Sequence, residues 1–170
     1  KLRNRDGVYE FVLVSKEESG IDSEIVITQA DITNLIRSKG AIYAAVSLLI
    51  ESMGLGINDV HCVYLAGGFG NYLNVRNAIT IGMLPDMPSS KIKFVGNTSL
   101  TGAKMALLSE DAFETVQNIA SMMTYFDLMG NQKYMDEYMS ANFLPHTNLD
   151  EFPSVQEELS SLNKQLSGTN

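Results

Sequence analysis

The spacing of apolar positions changes several times along the chain, and each change marks an element. Val8–Ser15 (VYEFVLVS) alternates apolar and mixed residues, Lys16–Ser23 is polar, and Glu24–Thr28 (EIVIT) is β-branched. Two such runs around a polar linker predict a β-hairpin. Thr28 and Asp31 then have the spacing of a capping box, with Asp as a shorter partner than Glu. Apolar residues at 32, 35, 36, 42, 43, 46, 49, 50 and 53 follow helical spacing, and Gly54 and Gly56 close that long helix. His61–Ala66 (HCVYLA) predicts a buried strand running into Gly67-Gly68-Phe69-Gly70. Asn71–Ile81 predicts a short helix stopped by Gly82 and Pro85. Lys91–Val95 (KIKFV) predicts a second strand. It is followed by Gly96-Asn97-Thr98-Ser99 and a helix through Leu108, and Ser109 stands as the N-cap of a further helix. Helical spacing resumes at 134–143 and, weakly, at 155–166.

The order β-β-α-β-α-β-α-α predicts an α/β domain with a mixed sheet and helices packed on it. The strands at 61–66 and 91–95 should be adjacent and parallel, because each is followed by a helix able to cross back over the sheet.

Composition narrows the function classes. The 170 residues are 45% apolar and 19% charged, an ordinary globular balance for one domain. One cysteine, Cys62, excludes a disulfide scaffold and an all-cysteine metal or iron–sulfur site within the chain. Two histidines, His61 and His146, argue against a His-based metal centre. The net charge of −8 and the absence of a Lys/Arg run exclude a nucleic-acid interface. Six acids and one base fall from Asp136 onward, so most of the imbalance lies towards the C-terminus, and 147–170 reads as a polar, acidic, solvating tail. The longest apolar stretch, Ala41–Ile50, is too short to span a membrane. With one cysteine and no secretion signal, a cytoplasmic location is expected. The first residue is Lys1 rather than Met, and the chain is read as a piece of a longer protein.

Val63–Gly70 (VYLAGGFG) carries the strongest chemical signal. Glycines at the carboxyl end of a buried strand let a ligand reach the backbone without meeting a Cβ, and their N–H groups can face a phosphate or a sugar. A tight turn needing positive φ explains the same residues. The spacing is neither the dinucleotide fingerprint nor a Walker A loop. Gly96-Asn97-Thr98-Ser99 can cap a helix or receive an anion at its N-terminus. Lys39 on the long helix reads alone as a solvated lysine, and Cys62 as a small buried apolar residue. No nucleophilic triad or carboxylate pair is recognised, so no catalytic and no metal-ligating residue is assigned.

The strings ITQADITNLIRSKGAI (27–42), VYLAGGFGNYLN (63–74), AITIGMLPD (78–86) and KFVGNTSLTGA (93–103), with NFLPH (142–146) near the end, resemble the C-terminal domain of the reductive activators of corrinoid proteins. The resemblance covers residues 8–146. It implies a ribonuclease-H-like, actin-like ATPase fold of the acetate and sugar kinase, heat-shock chaperone and actin superfamily, present here as a partial lobe. It also implies an ATP-dependent activity that returns an inactive cob(II)alamin protein to cob(I)alamin. The resemblance further implies that Gly67-Gly68-Phe69-Gly70 is the superfamily's adenosine motif, that Phe69 and Asn71 flank the adenine, and that Lys39 lies in the helix lining the other side of the pocket.

ATP with Mg²⁺ and a 2Fe–2S cluster in an N-terminal part are cofactors implied for the full-length protein only. The family's two phosphate loops precede this region, and no such loop stands before Val8. A corrinoid protein is the implied partner, and a homodimer is left open. Two alternatives stand beside this reading: a small-molecule kinase of the same superfamily, and a non-catalytic interaction module that keeps the fold.

Overall fold

The computed structural model describes residues 1–68 and 70–167, apart from the side chains of Asn71, Leu166 and Ser167. Three antiparallel strands open the chain: β1 (Leu2–Arg5), β2 (Val8–Val14) and β3 (Ile25–Thr28), paired in the order β1-β2-β3. Strand β1 lies upstream of the predicted hairpin. Its four residues are too few and too polar to show a period, and it is held by long-range pairing instead. Arg3 Nε donates to Glu10 at 2.6 Å and Arg3 Nη2 to Glu24 at 2.5 Å, so one guanidinium ties β1 to β2 and to the residue that leads into β3. Glu24 is held below the usual carboxylate range by that hydrogen bond.

Helix α1 (Gln29–Ser52) starts where the sequence indicates. The Thr28 side chain accepts the Asp31 N–H while the Asp31 carboxylate accepts the Thr28 N–H, satisfying two donors that a helix start leaves free. The chain then forms β4 (Val63–Leu65), α2 (Val75–Thr80), β5 (Ile92–Phe94), α3 (Thr98–Leu108), α4 (Glu110–Met122), α5 (Gln132–Ala141) and α6 (Pro153–Ser167). Strands β4 and β5 pair in parallel, Val63 with Ile92 and Leu65 with Phe94, as the crossover argument requires. Antiparallel and parallel pairing both occur, but in two ladders and not one continuous sheet. A two-residue turn joins β1 to β2 and the polar 15–24 segment joins β2 to β3, whereas β4 and β5 are three residues each and pair through the crossover by α2.

Helix α5 packs on α1 with little space between backbones. A Cβ on Gly40 would stand 3.2 Å from the Ala141 carbonyl oxygen. Gly82 is more constrained. Its φ is +73°, and a Cβ there would lie 2.1 Å from the Pro145 carbonyl oxygen, so only glycine lets the turn after α2 meet the 143–146 segment.

The main core gathers Tyr43, Ala78, Ile79, Met83, Leu84, Met87, Ile92, Ala141, Phe152 and Val155. Phe152 and Val155 correct the expectation of a solvating tail from 147. Two apolar residues there close the core, and the Ser154 N–H and hydroxyl both donate to Asp86 at 2.7 and 2.8 Å.

Candidate functional site

The two glycine turns predicted at the ends of β4 and β5 lie side by side. The Gly67 N–H donates to the Gly96 carbonyl at 2.8 Å, and the Val95 N–H donates to the Leu65 carbonyl at 3.0 Å. Parallel pairing therefore continues past the strands and joins both turns at their carboxyl ends, where open α/β sheets bind ligands. Gly67 and Gly96 have φ of +95° and +69°, so both need the left-handed backbone that glycine adopts without strain. A Cβ on Gly67, Gly68 or Gly96 would meet nothing within 4 Å, so the space over these residues is open. Gly70 is buried, and its Cβ would make ordinary contact with Leu65 at 3.5 Å. Phe69 and the side chain of Asn71 lie outside the described residues. Asn97 caps α3 by accepting the Leu100 N–H at 3.0 Å, so its carboxamide oxygen serves the helix.

Lys39 is placed differently from the helix-surface reading. It has no solvent exposure, and its ammonium donates to the carbonyls of Phe143 and of Pro145, the latter at 2.5 Å. Burial lowers its pKa to about 8. The amine holds the 143–145 segment against α1 and presents no surface to a ligand. Cys62 is only half-buried and stands just before β4, not inside a buried strand.

A second constellation escaped the sequence reading. A cavity of about 530 Å³ opens between α1, the turn after it, α5 and the 150–153 segment. Its wall carries Glu51, Asp86, Glu137, Asp150 and Glu151 and no lysine or arginine. Beside it His146 is buried, with ring centroids 5.4 Å from Tyr43 and 6.1 Å from Phe152. The Tyr43 hydroxyl donates to Glu151 at 2.6 Å, and burial raises the phenol's pKa, followed by that same bond. Burial also raises the Glu137 carboxyl, and the Glu151 charge adds to the rise. Glu137, His146 and Glu151 come from three segments with no mutual spacing rule, so no motif could have shown them together.

The family described as "C-terminal domain of RACo the ASKHA domain" matches residues 1–156. The chain belongs to this family. The match runs beyond both ends of the 8–146 span read from the motifs. A corrinoid activation enzyme, RamQ, of Eubacterium limosum is 34% identical over 143 residues, covering 81% of this chain and 24% of that protein. A [Co(II) methylated amine-specific corrinoid protein] reductase of Methanosarcina barkeri is 32% identical over 105 residues, covering 62% of this chain and 19% of that protein. A solved reductive activator for corrinoid, iron–sulfur protein superposes with a TM-score of 0.83 at 49% identity. That superposition covers 91% of this chain and 24% of that one. The actin-like ATPase assignment of the fold is thereby supported, and the chain spans about a quarter or less of the length of these relatives.

Within this family domain the residues can be tested against the implied cofactors. The open glycine turns at the β4 and β5 ends fit an adenosine or phosphate edge approaching the backbone. The same turns offer glycine, asparagine, threonine and serine but no carboxylate, so they do not fit Mg²⁺. One cysteine does not fit a 2Fe–2S cluster, which takes four protein ligands. Among the described residues no helix is long and apolar enough to cross a membrane.

Proposed function

We propose that this chain is the C-terminal part of an ATP-dependent reductive activator of corrinoid proteins. In that reading the Gly67–Gly68 turn forms the adenosine side of the nucleotide cleft. One observation carries the assignment of the site: the paired turns at the carboxyl ends of β4 and β5 leave Cβ-sized space open over Gly67, Gly68 and Gly96. The relatives' names supply the rest, since they act on corrinoid proteins and activate or reduce them. ATP drives the reduction in the full-length protein, and the electron carrier lies outside this chain. The chain's own residues bind and orient: the backbone at Gly67–Gly68 lets the sugar lie against it, and the link to Gly96 holds both turns in one plane of approach. Lys39 is an internal clamp between α1 and the 143–145 segment and has no part in this edge. A cytoplasmic setting and a corrinoid-protein partner follow from the same reading.

Gly68→Val in full-length protein tests it. Gly68 has no positive φ and nothing near its Cβ, so valine folds there but fills the approach path. ATP affinity measured by calorimetry should fall at least tenfold with the melting temperature unchanged. Equal ATP affinity in the folded variant would remove the site from Gly67–Gly68.

A further inference from the structure

We infer that Glu137, His146 and Glu151 form a binding site for a divalent transition-metal ion at the inner end of the acidic cavity. One ligand atom from each of the three residues lies within 4.8 Å of the other two. His146 Nε2 and Glu137 Oε1 are both buried from solvent and both lack a hydrogen-bond partner. They stand 3.8 Å apart, too far for a hydrogen bond to each other and close enough for one ion to bind both. The His146 side chain is only 2% exposed, so its free nitrogen is directed into the cluster and not to water.

The surroundings select for a cation. Glu51, Asp86 and Asp150 add negative charge to the cavity wall, and no lysine or arginine lines it. Lys133 on the neighbouring surface is paired with Glu51. Glu151 is already oriented as a ligand: Tyr43 donates to one oxygen and Asn148 Nδ2 to the other, at 2.6 and 3.2 Å, each leaving a lone pair. The imidazole beside two carboxylates favours an ion such as Zn²⁺ over the oxygen-seeking Mg²⁺ and Ca²⁺. The small number of histidines, which argued against a metal centre, matters less for a mixed site that needs only one.

The metal-free ring has a defined tautomer. The Asn148 N–H donates to His146 Nδ1 at 3.1 Å, so a neutral ring carries its proton on Nε2. Ligation through Nε2 moves that proton to Nδ1, with no net loss from the ring, so the Asn148 N–H loses its acceptor and must turn away from the new Nδ1–H. One neutral hydrogen bond is small beside three metal–ligand bonds. The Asn148 amide is thus a built-in reporter.

The test is a titration of chelator-treated protein with ZnCl₂ by calorimetry and by amide NMR. The expected result is one saturable site per chain, at least tenfold weaker in Glu137→Gln and in Glu151→Gln, with the Asn148 amide shifting on binding. Both variants leave His61 and Cys62 untouched, so Zn²⁺ held there would not respond. Glu151 is exposed, so its variant keeps the test intact should Glu137→Gln unfold. Absent Zn²⁺ binding in wild type, binding unchanged in the folded variants, or an unmoved Asn148 amide would each overturn the site.

Discussion

Lys39 shows how far a residue's role depends on where its charge ends. It sits on the stripe of α1 that buries Gly40, Tyr43, Ala44 and Leu48, and its amine reaches two carbonyls beyond α5. Lys39→Met leaves the buried Pro145 carbonyl without a donor, which costs about 1–3 kcal/mol. The pH dependence has a fixed sign. The folded pKa is lowered to about 8 by burial, while the unfolded side chain titrates at about 10.5. Between these values the unfolded chain holds a proton that the folded chain has released, so this group makes stability rise with pH. The urea midpoints of wild type and Lys39→Met should therefore separate further from pH 8 to pH 10. A gap that narrows over that window would contradict the buried-amine reading.

At the scale of elements, local chemistry reads well and distant chemistry does not. The Thr28–Asp31 box, the Ser109 cap whose hydroxyl accepts the Ala112 N–H, and the parallel β4–β5 pair all follow from signals within a few residues or from one crossover rule. Strand β1 was missed because Arg3, Glu10 and Glu24 act across the sheet. Gly82 read only as a helix stop, since its contact with Pro145 joins residues far apart in sequence. The glycine turns were legible in the candidate site, whereas the Glu137–His146–Glu151 cluster was not, because folding alone brings those side chains together. Elements also differ in support. Helices α3 and α4 contain no buried residue, and Leu107, Leu108, Phe113 and Met122 are exposed. Their amides should exchange with deuterium well before those of α1 around Lys39–Leu48, because local opening there uncovers little apolar surface. Equal protection would mean that this face is covered in solution.

On the scale of the whole molecule, the segment after 147 decides whether the chain is a domain with a loose end or one closed body. Phe152 and Val155 are almost fully inaccessible and belong to the same core as Tyr43, Met83 and Ile92. Phe152 also packs its ring 5.3 Å from that of Tyr43, at the inner wall of the acidic cavity. Arg76 to Glu158 at 2.8 Å and the Ser154–Asp86 bonds fasten the start of α6 to the region around α2. A solvated tail would tolerate Phe152→Ala with a change within about 0.5 kcal/mol, as surface positions usually do. A buried phenylalanine removed from a core costs about 3–5 kcal/mol, because the transfer energy is lost and a cavity remains. That is a large share of the roughly 5–15 kcal/mol that holds a domain folded. Phe152→Ala should therefore shift urea unfolding by the larger amount, with fluorescence and circular dichroism changing in one shared transition. A loss below about 1 kcal/mol, or a separate early transition for the C-terminal helix, would show that the core closes without residues 149–167.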